Sequence, residues 1–174
     1  MIEIPQGPVF CWQDFSLVIE KNLVFEPGKT YHLQGENGSG KSSFLKHCLL
    51  PVLESKKDLI YRIYLEQLFH LQGYAIKSHS AFYKPELELR SELDCVQYLL
   101  NNLSEAFSQE PRPVYCIVDE NRYIQEIHRY LKENNFPFCL IYCAHSSFFL
   151  SEDINIINFQ VITPKRSRIY EATI

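Results

Sequence analysis

No run of apolar residues is long enough to span a bilayer; the richest, residues 136–150, is broken by Pro137, His145, Ser146 and Ser147. A membrane-spanning helix is therefore not expected. The six cysteines, Cys11, Cys48, Cys95, Cys116, Cys139 and Cys143, contain no C-x-x-C pair. Several lie inside apolar runs, where a reduced thiol packs as a small hydrophobe, so they are read as reduced core residues, and no zinc site of conventional spacing is visible. Positive charge is also in short supply. With 17 Lys and Arg against 21 Asp and Glu, the net charge of −4 leaves no electrostatic footprint for nucleic acid. The small cluster Lys165, Arg166 and Arg168 reads as a solvated turn. No internal repeat, low-complexity tract or linker stands out. The opening Met1-Ile2-Glu3-Ile4-Pro5 lacks the basic start and apolar stretch of a secretory signal. A cytoplasmic protein is expected, free or held at the inner face of a membrane through partners.

What the chain does have is a glycine-rich stretch, Gly35-Glu36-Asn37-Gly38-Ser39-Gly40-Lys41-Ser42-Ser43, which fits the phosphate-binding pattern G-x-x-x-x-G-K-[ST]. Glycines let successive backbone N–H groups turn inward as an anion nest, and the following helix aims its positive end at the phosphates. Lys41 would reach the β- and γ-phosphates and the Ser42 hydroxyl would ligate Mg²⁺. The context agrees: Thr30-Tyr31-His32-Leu33-Gln34 reads as a short strand before the loop, and Phe44, Leu45, Cys48 and Leu49 follow at helical spacing.

The 174 residues suit one domain, 1–174, able to bury a core without disulfides. Residues 8–25 predict two or three short strands, and Glu26-Pro27-Gly28-Lys29 a turn. Pro51 is expected to stop or kink the phosphate-loop helix. Residues 59–65 form a β-rich run; residues 66–85 have no firm period and read as mixed loop and helix. From Pro85 onward, Leu89, Leu93, Val96, Leu99, Leu100, Leu103 and Phe107 predict a helix of several turns. Residues 114–118 are an uninterrupted apolar run, as a parallel strand covered on both faces requires. A helix over residues 122–132, a second apolar strand over 138–143 and closing strands over 154–162 and 169–174 complete the chain. Alternating strands and helices imply an α/β fold with a mainly parallel central sheet flanked by helices, plus a small antiparallel N-terminal region. Ligands of such sheets bind at the carboxyl ends of the strands.

Three further signals fall at those ends. The 114–118 strand runs into Asp119-Glu120, where Asp119 would enter the magnesium shell and Glu120 would orient and polarise a water. The plain alternative is that Asp119 or Asn121 caps the next helix. His145 ends the next apolar strand, within reach of a γ-phosphate if the two strands are neighbours. Gln67 follows Ile63-Tyr64-Leu65-Glu66 at the end of the intervening strand, where its amide could reach Mg²⁺ and the water.

The loop at Gly35, Tyr64 to Gln67, residues 114–120 and Cys143-Ala144-His145 together resemble, in order, the Walker A, Q-loop, Walker B with catalytic glutamate, and switch histidine of the nucleotide-binding domain of ATP-binding cassette (ABC) proteins. The resemblance spans most of the chain. It implies Lys41 on the phosphates, Ser42 and Gln67 on magnesium, Asp119 in the metal shell, Glu120 as base and His145 as γ-phosphate sensor. It also places Trp12 about where that family stacks an aromatic on adenine, with Phe10 and Phe15 as competitors.

The departures are equally specific. Where the family carries an L-S-G-G-Q signature this chain has Ser91-Glu92-Leu93-Asp94-Cys95, without glycine. Asn121-Arg122-Tyr123-Ile124 lacks the family's Pro and the S-A-L-D loop that follows it, and the spacings from Lys41 to Gln67 and from Gln67 to Asp119 are short. The resemblance implies a compact, Mg·ATP-binding ATPase subunit working with a second ATP-binding subunit and a membrane-embedded permease. A non-hydrolytic nucleotide-gated module and a P-loop kinase, with Lys165, Arg166 and Arg168 as a lid, are the competing readings.

Overall fold

The computed structural model describes residues 1–12, 14–144 and 154–171, with the side chains of Cys11 and Trp12 outside the description. The elements, in order, are β1 (Ile2–Ile4), β2 (Gly7–Trp12), β3 (Phe15–Ile19), β4 (Leu23–Phe25), β5 (Thr30–Gly35), α1 (Lys41–Phe44), a π-helical turn (Leu45–Leu49), α2 (Leu50–Glu54), β6 (Tyr61–Leu65), α3 (Phe69–Tyr83), α4 (Glu92–Gln109), β7 (Val114–Asp119), α5 (Ile124–Glu133), β8 (Phe138–Cys143), β9 (Ile154–Thr163) and β10 (Arg166–Glu171). An eight-stranded sheet runs β2-β3-β10-β9-β5-β8-β7-β6, and β1 pairs with β4 in a small antiparallel sheet.

Within the large sheet, β6, β7, β8, β5 and β9 are mutually parallel, while β10 runs antiparallel to β9 and β2 antiparallel to β3. The carboxyl ends of β5, β6, β7 and β8 therefore share one edge. That edge collects Gly35, Gln67, Asp119 and Ala144, which are far apart in the chain.

Residue parity on the buried strands decides which side chains meet which helices. In β7, Tyr115 and Ile117 join Phe44, Leu45, Leu49 and Leu53 of the phosphate-loop helix in one core, with Phe25 and Leu33. Val114, Cys116 and Val118 join Val96, Leu100, Leu103, Ile127 and Leu131 of α4 and α5 in the other. Asp119 continues the odd series, so it faces the phosphate-loop helix. All six residues of β7 are buried. Full burial of an aliphatic side chain stabilises by about 1.5–3 kcal/mol relative to exposure, so the strand that ends in Asp119 is held firmly.

Three local features differ from expectation. The helix does not end at Pro51 but continues to Glu54. Leu50 N–H bonds Leu45 O, one residue further back than an α-helix allows, and this π turn makes Pro51 the second residue of a new α segment, where its missing N–H leaves no gap. Residues 69–83, expected as mixed loop and helix, are one continuous helix. The following helix begins at Glu92 rather than near Pro85, because Ser91 caps it: Ser91 Oγ accepts from Asp94 N–H while Asp94 accepts from Ser91 N–H.

Cys48, Cys95, Cys116, Cys139 and Cys143 are buried free thiols. Among the described residues no group of His, Cys, Asp and Glu has the makings of a multi-ligand metal cluster, and no helix is long and apolar enough to cross a membrane.

Candidate nucleotide-binding site

The phosphate loop links the end of β5 to α1 in a backbone form that its glycines alone permit. Gly40 has φ of +95°, and a Cβ there would lie 2.6 Å from Leu17 Cδ2. At Gly35 an added Cβ would meet the Phe159 carbonyl oxygen at 2.5 Å and Ser39 Oγ at 2.8 Å. The Gly35 contact is to backbone and leaves no room for a side chain, whereas at Gly40 the Leu17 side chain would have to shift and the positive φ favours glycine, so β3 and β9 bound the loop from two sides.

Lys41 is buried, and its Nζ donates to the carbonyls of Gly35 (2.8 Å) and Glu36 (3.0 Å), lying along the inside of the loop. Ser42 Oγ donates to Asp119 Oδ1 at 3.0 Å. Asp119 is 2% exposed, and burial first, then the neighbouring Glu120 carboxylate, push its pKa up against the opposing effect of the Ser42 hydrogen bond.

Glu120 adopts φ of +49°, rare for a residue with a side chain, and its N–H donates to Cys143 O. This turns its carboxylate out of the strand line and over the loop. Gln67 Nε2 donates to Glu120 Oε2 at 2.8 Å. Gln67 is itself positioned by Gln72, which the sequence did not single out, and by Asn121, which it offered only as a helix cap. Gln72, in the first turn of α3, donates to Tyr64 O (2.6 Å) and accepts from Glu66 N–H (3.2 Å). Asn121 donates to Glu66 O at 3.2 Å and accepts from Tyr123 N–H at 3.0 Å. Asn121 closes the turn before α5 without capping the helix, whose N-cap is Tyr123 with no side-chain cap bond, and it ties the ends of β6 and β7 together. A glutamine one turn into a helix is too common to be found from sequence, and an asparagine after a strand reads first as a helix cap.

These groups open onto a cleft of two adjoining lobes, about 550 and 500 Å³. One is lined by Asn37, Gly38, Gly40, Lys41, Ser42, Ser43, Gln67 and Glu120, with Phe10 and Phe15 on its apolar side; the other by Gly35, Glu36, Lys41, Glu120 and Ala144. Phe10 lies flat on His47 of the π turn, ring centroids 4.6 Å apart at 13°. Of the aromatics named for a base, Phe10 and Phe15 are thus at the cleft. The Trp12 side chain and His145 fall outside the described residues. The strands that the His145 condition concerned are neighbours, since β8 pairs with β7 and, on its other side, with β5. At its end, His32 of β5 stacks on Tyr142 at 4.7 Å and its Nε2 lies 3.2 Å from Ala144 O.

The oxygen groups here, a serine hydroxyl bonded to a desolvated carboxylate with a glutamine amide beside them, suit a hard divalent cation such as Mg²⁺. Such an ion would be held by Ser42 and Asp119 and would supply charge neutralisation of phosphate oxygens. Lys41 and the backbone N–H groups of the loop are of the kind that can bind anionic oxygen, and Glu120 can accept a proton from, and orient, a water.

At the N-terminus of α4, where a signature helix would offer free amides, the Arg90, Ser91 and Asp94 N–H groups are already bonded to the segment's own side chains. Asp94 Oδ2 accepts from Arg90 and Ser91 N–H, Ser91 Oγ accepts from Asp94 N–H, and Glu92 pairs with Arg122 at 2.7 Å.

No family model matches the sequence, and no curated protein matches it significantly. Solved structures match over nearly the whole chain. Archaeal ribosome recycling factor aABCE1, solved in complex with the archaeal ribosomal stalk protein aP1, aligns with TM-score 0.62 and 18% identity over 97% of this chain and 38% of that one. A structure of RNase-L Inhibitor aligns with TM-score 0.61 and 19% identity over 97% of this chain and 39% of that one. A model of ribosome-bound archaeal Pelota and ABCE1 gives 0.54 and 17% over 98% and 34%. The chain thus shares with these structures an α/β fold with a mostly parallel central sheet flanked by helices and a small antiparallel sheet. The chain spans under two fifths of the length of these solved chains.

Proposed function

We propose that this chain binds ATP with Mg²⁺ and hydrolyses it, and that turnover depends on a partner subunit. The observation that carries the reading is the convergence on one cleft of Lys41 inside a glycine-formed loop, Ser42 bonded to the buried Asp119, and Glu120 held by Gln67. Each element has a use in phosphoryl transfer: Lys41 and the loop amides on the phosphates, Ser42 and Asp119 on the metal, Gln67 between metal and water, Glu120 as base. Ser39, whose buried hydroxyl has no hydrogen-bond partner among the described residues, sits inside the same loop as a further donor for phosphate oxygen. Phe10, Phe15 and Trp12 are the candidates to cover the base, and His145 to sense the γ-phosphate.

The partner is proposed because the α4 N-terminus has no glycine, is closed by its own Ser91–Asp94 capping box and presents Glu92 and Asp94. If a second nucleotide-binding domain completes the site, as in the family this chain resembles, a copy of this chain cannot supply the usual donors from α4, and a subunit with an intact signature helix can. The expectation of a membrane permease has no support beyond the resemblance: aABCE1 in the solved structures is seen with a ribosomal stalk protein and with Pelota. A partner that is a protein is the part of that expectation retained.

The kinase reading is disfavoured by its proposed lid. Lys165 is paired with Asp14 at 2.6 Å, and Arg168 with Glu20 at 3.2 Å and Gln160 at 2.6 Å. Titration calorimetry of the purified chain with ATP, with and without Mg²⁺, tests the proposal. Saturable, Mg²⁺-strengthened binding that is lost in Lys41→Ala supports it; binding unaffected by Lys41→Ala contradicts it.

A further inference from the structure

Helix α3 is apolar on two opposite sides. Phe69, Gly73, Ile76 and Ser80, at steps of four, three and four, are buried, most of them against α4 and the sheet. Leu71, Ala75, Ser78 and Phe82, also at steps of four, three and four, are all exposed. Leu71 is 57% exposed and Phe82 78%. Steps of four and three are the a/d seam of a coiled coil, which exists to be covered by another helix. Two large apolar side chains exposed at the ends of the line, with the small Ala75 and Ser78 between them, mark it as an interaction surface.

The seam matches itself. Read in either direction it runs large, small, small, large: Leu71, Ala75, Ser78, Phe82. When two copies lie antiparallel about a two-fold axis between residues 75 and 78, Ala75 faces the partner's Ser78 and lets the backbones approach closely, while Leu71 faces the partner's Phe82. That is the self-complementarity an isologous dimer requires. The residues flanking the seam, Gln72, Tyr74, His79 and Ala81, include no carboxylate, lysine or arginine, so a second copy meets no opposing charge. The whole helix contains no acidic residue, and its lysine, Lys77, reaches the Arg90 carbonyl within its own chain.

We infer that α3 is the dimerisation surface of this protein, packing antiparallel on α3 of a second copy through Leu71, Ala75, Ser78 and Phe82. The contact is distinct from any head-to-tail pairing across nucleotide. One short helix per side buries less than the roughly 1,600 Å² of a standard stable interface, so the dimer is weak and concentration-dependent. It is also wired to the site, because Gln72 in the first turn of α3 holds the backbone on which Gln67 sits.

The test is sedimentation equilibrium of the full chain from micromolar to several hundred micromolar. A reversible monomer–dimer equilibrium is expected, weakened more than about tenfold by Leu71→Glu or by Phe82→Lys, each of which buries a lone charge in the seam. Both positions are exposed, so circular dichroism and thermal melting should be unchanged. The double variant L71E/F82K should recover dimerisation, since each new glutamate then faces the partner's new lysine, whereas within one helix the two lie ~16 Å apart. A chain that stays monomeric throughout, a dimer indifferent to the single substitutions, or a double variant no better than the singles overturns the inference. The dimer is read on apo protein, so its failure leaves the ATP-binding proposal intact and is distinguishable from it.

Discussion

Gln67 reaches Glu120 across 2.8 Å, joining the end of β6 to the end of β7 directly over the phosphate loop. The pair lies at the meeting point of two supports. Gln67 is carried by the Gln72 clamp from α3, and Glu120 by its left-handed backbone and its N–H bond to β8. Movement of α3 would therefore be felt at the carboxylate proposed as base. Gln72→Ala, which touches no nucleotide group, should lower kcat several-fold with little change in ATP affinity; an unchanged kcat would remove α3 from the account.

The loop's two packed glycines should be indispensable in different degrees. Gly35→Ala places a Cβ against backbone, the Phe159 carbonyl, which cannot swing away. Gly40→Ala meets the Leu17 and Phe15 side chains, which can shift, but adds the strain of φ at +95°. Overpacking of this kind costs about 1–3 kcal/mol. Denaturant unfolding should show both variants destabilised within that range, and nucleotide binding should fall more in Gly35→Ala. Wild-type stability in either would contradict the packing described.

Asp119 carries a carboxylate that burial disfavours, and its proposed purpose is to meet a cation. Asp119→Asn removes the charge and keeps the shape. Thermal melts in chelator should show the variant at least as stable as wild type, while the additional Mg²⁺-dependent stabilisation by ATP disappears. A large loss of stability in chelator would instead make Asp119 a structural residue.

Asp94 supplies the pH prediction. Its pKa is held below the usual 3.8 chiefly by the Ser91 backbone N–H, then by the Ser91 hydroxyl. A depressed acid contributes stability above its unfolded pKa and loses it as the pH falls through the lower folded value. Wild type should therefore exceed Asp94→Asn in stability at neutral pH, and the difference should close below pH 3.8. Ser91→Ala, which removes the other half of the cap, should cost about 1 kcal/mol. A gap between wild type and Asp94→Asn that persists at low pH would exclude the carboxylate as the cap.

How much was legible in the sequence follows from what each element asks of its residues. β7 and β8 are covered on both faces, so they read as unbroken apolar runs and carried Asp119 and Ala144 to the right edge. The phosphate loop was legible because its glycines are fixed by steric demands that other residues fail. Helix α3 was not, because a second apolar seam on its outer side erased the contrast on which helical periodicity depends. Pro51 marks a break in the regular α-helix but not its end, because the π turn before it restarts the helix, and such a turn leaves no mark in composition. The Glu120 backbone and the Gln72 and Asn121 clamps depend on contacts between residues far apart in the chain, which a single sequence does not display.

The most direct test of the central claim is Mg·ATP turnover by the purified chain beside Glu120→Gln, with ATP affinity measured for both. The account predicts slow hydrolysis by wild type, a fall of at least ~10²-fold in Glu120→Gln, as loss of a general base gives, and equal ATP affinity in the two. Hydrolysis at the same rate in both proteins, or a wild-type chain that does not bind ATP, would contradict it.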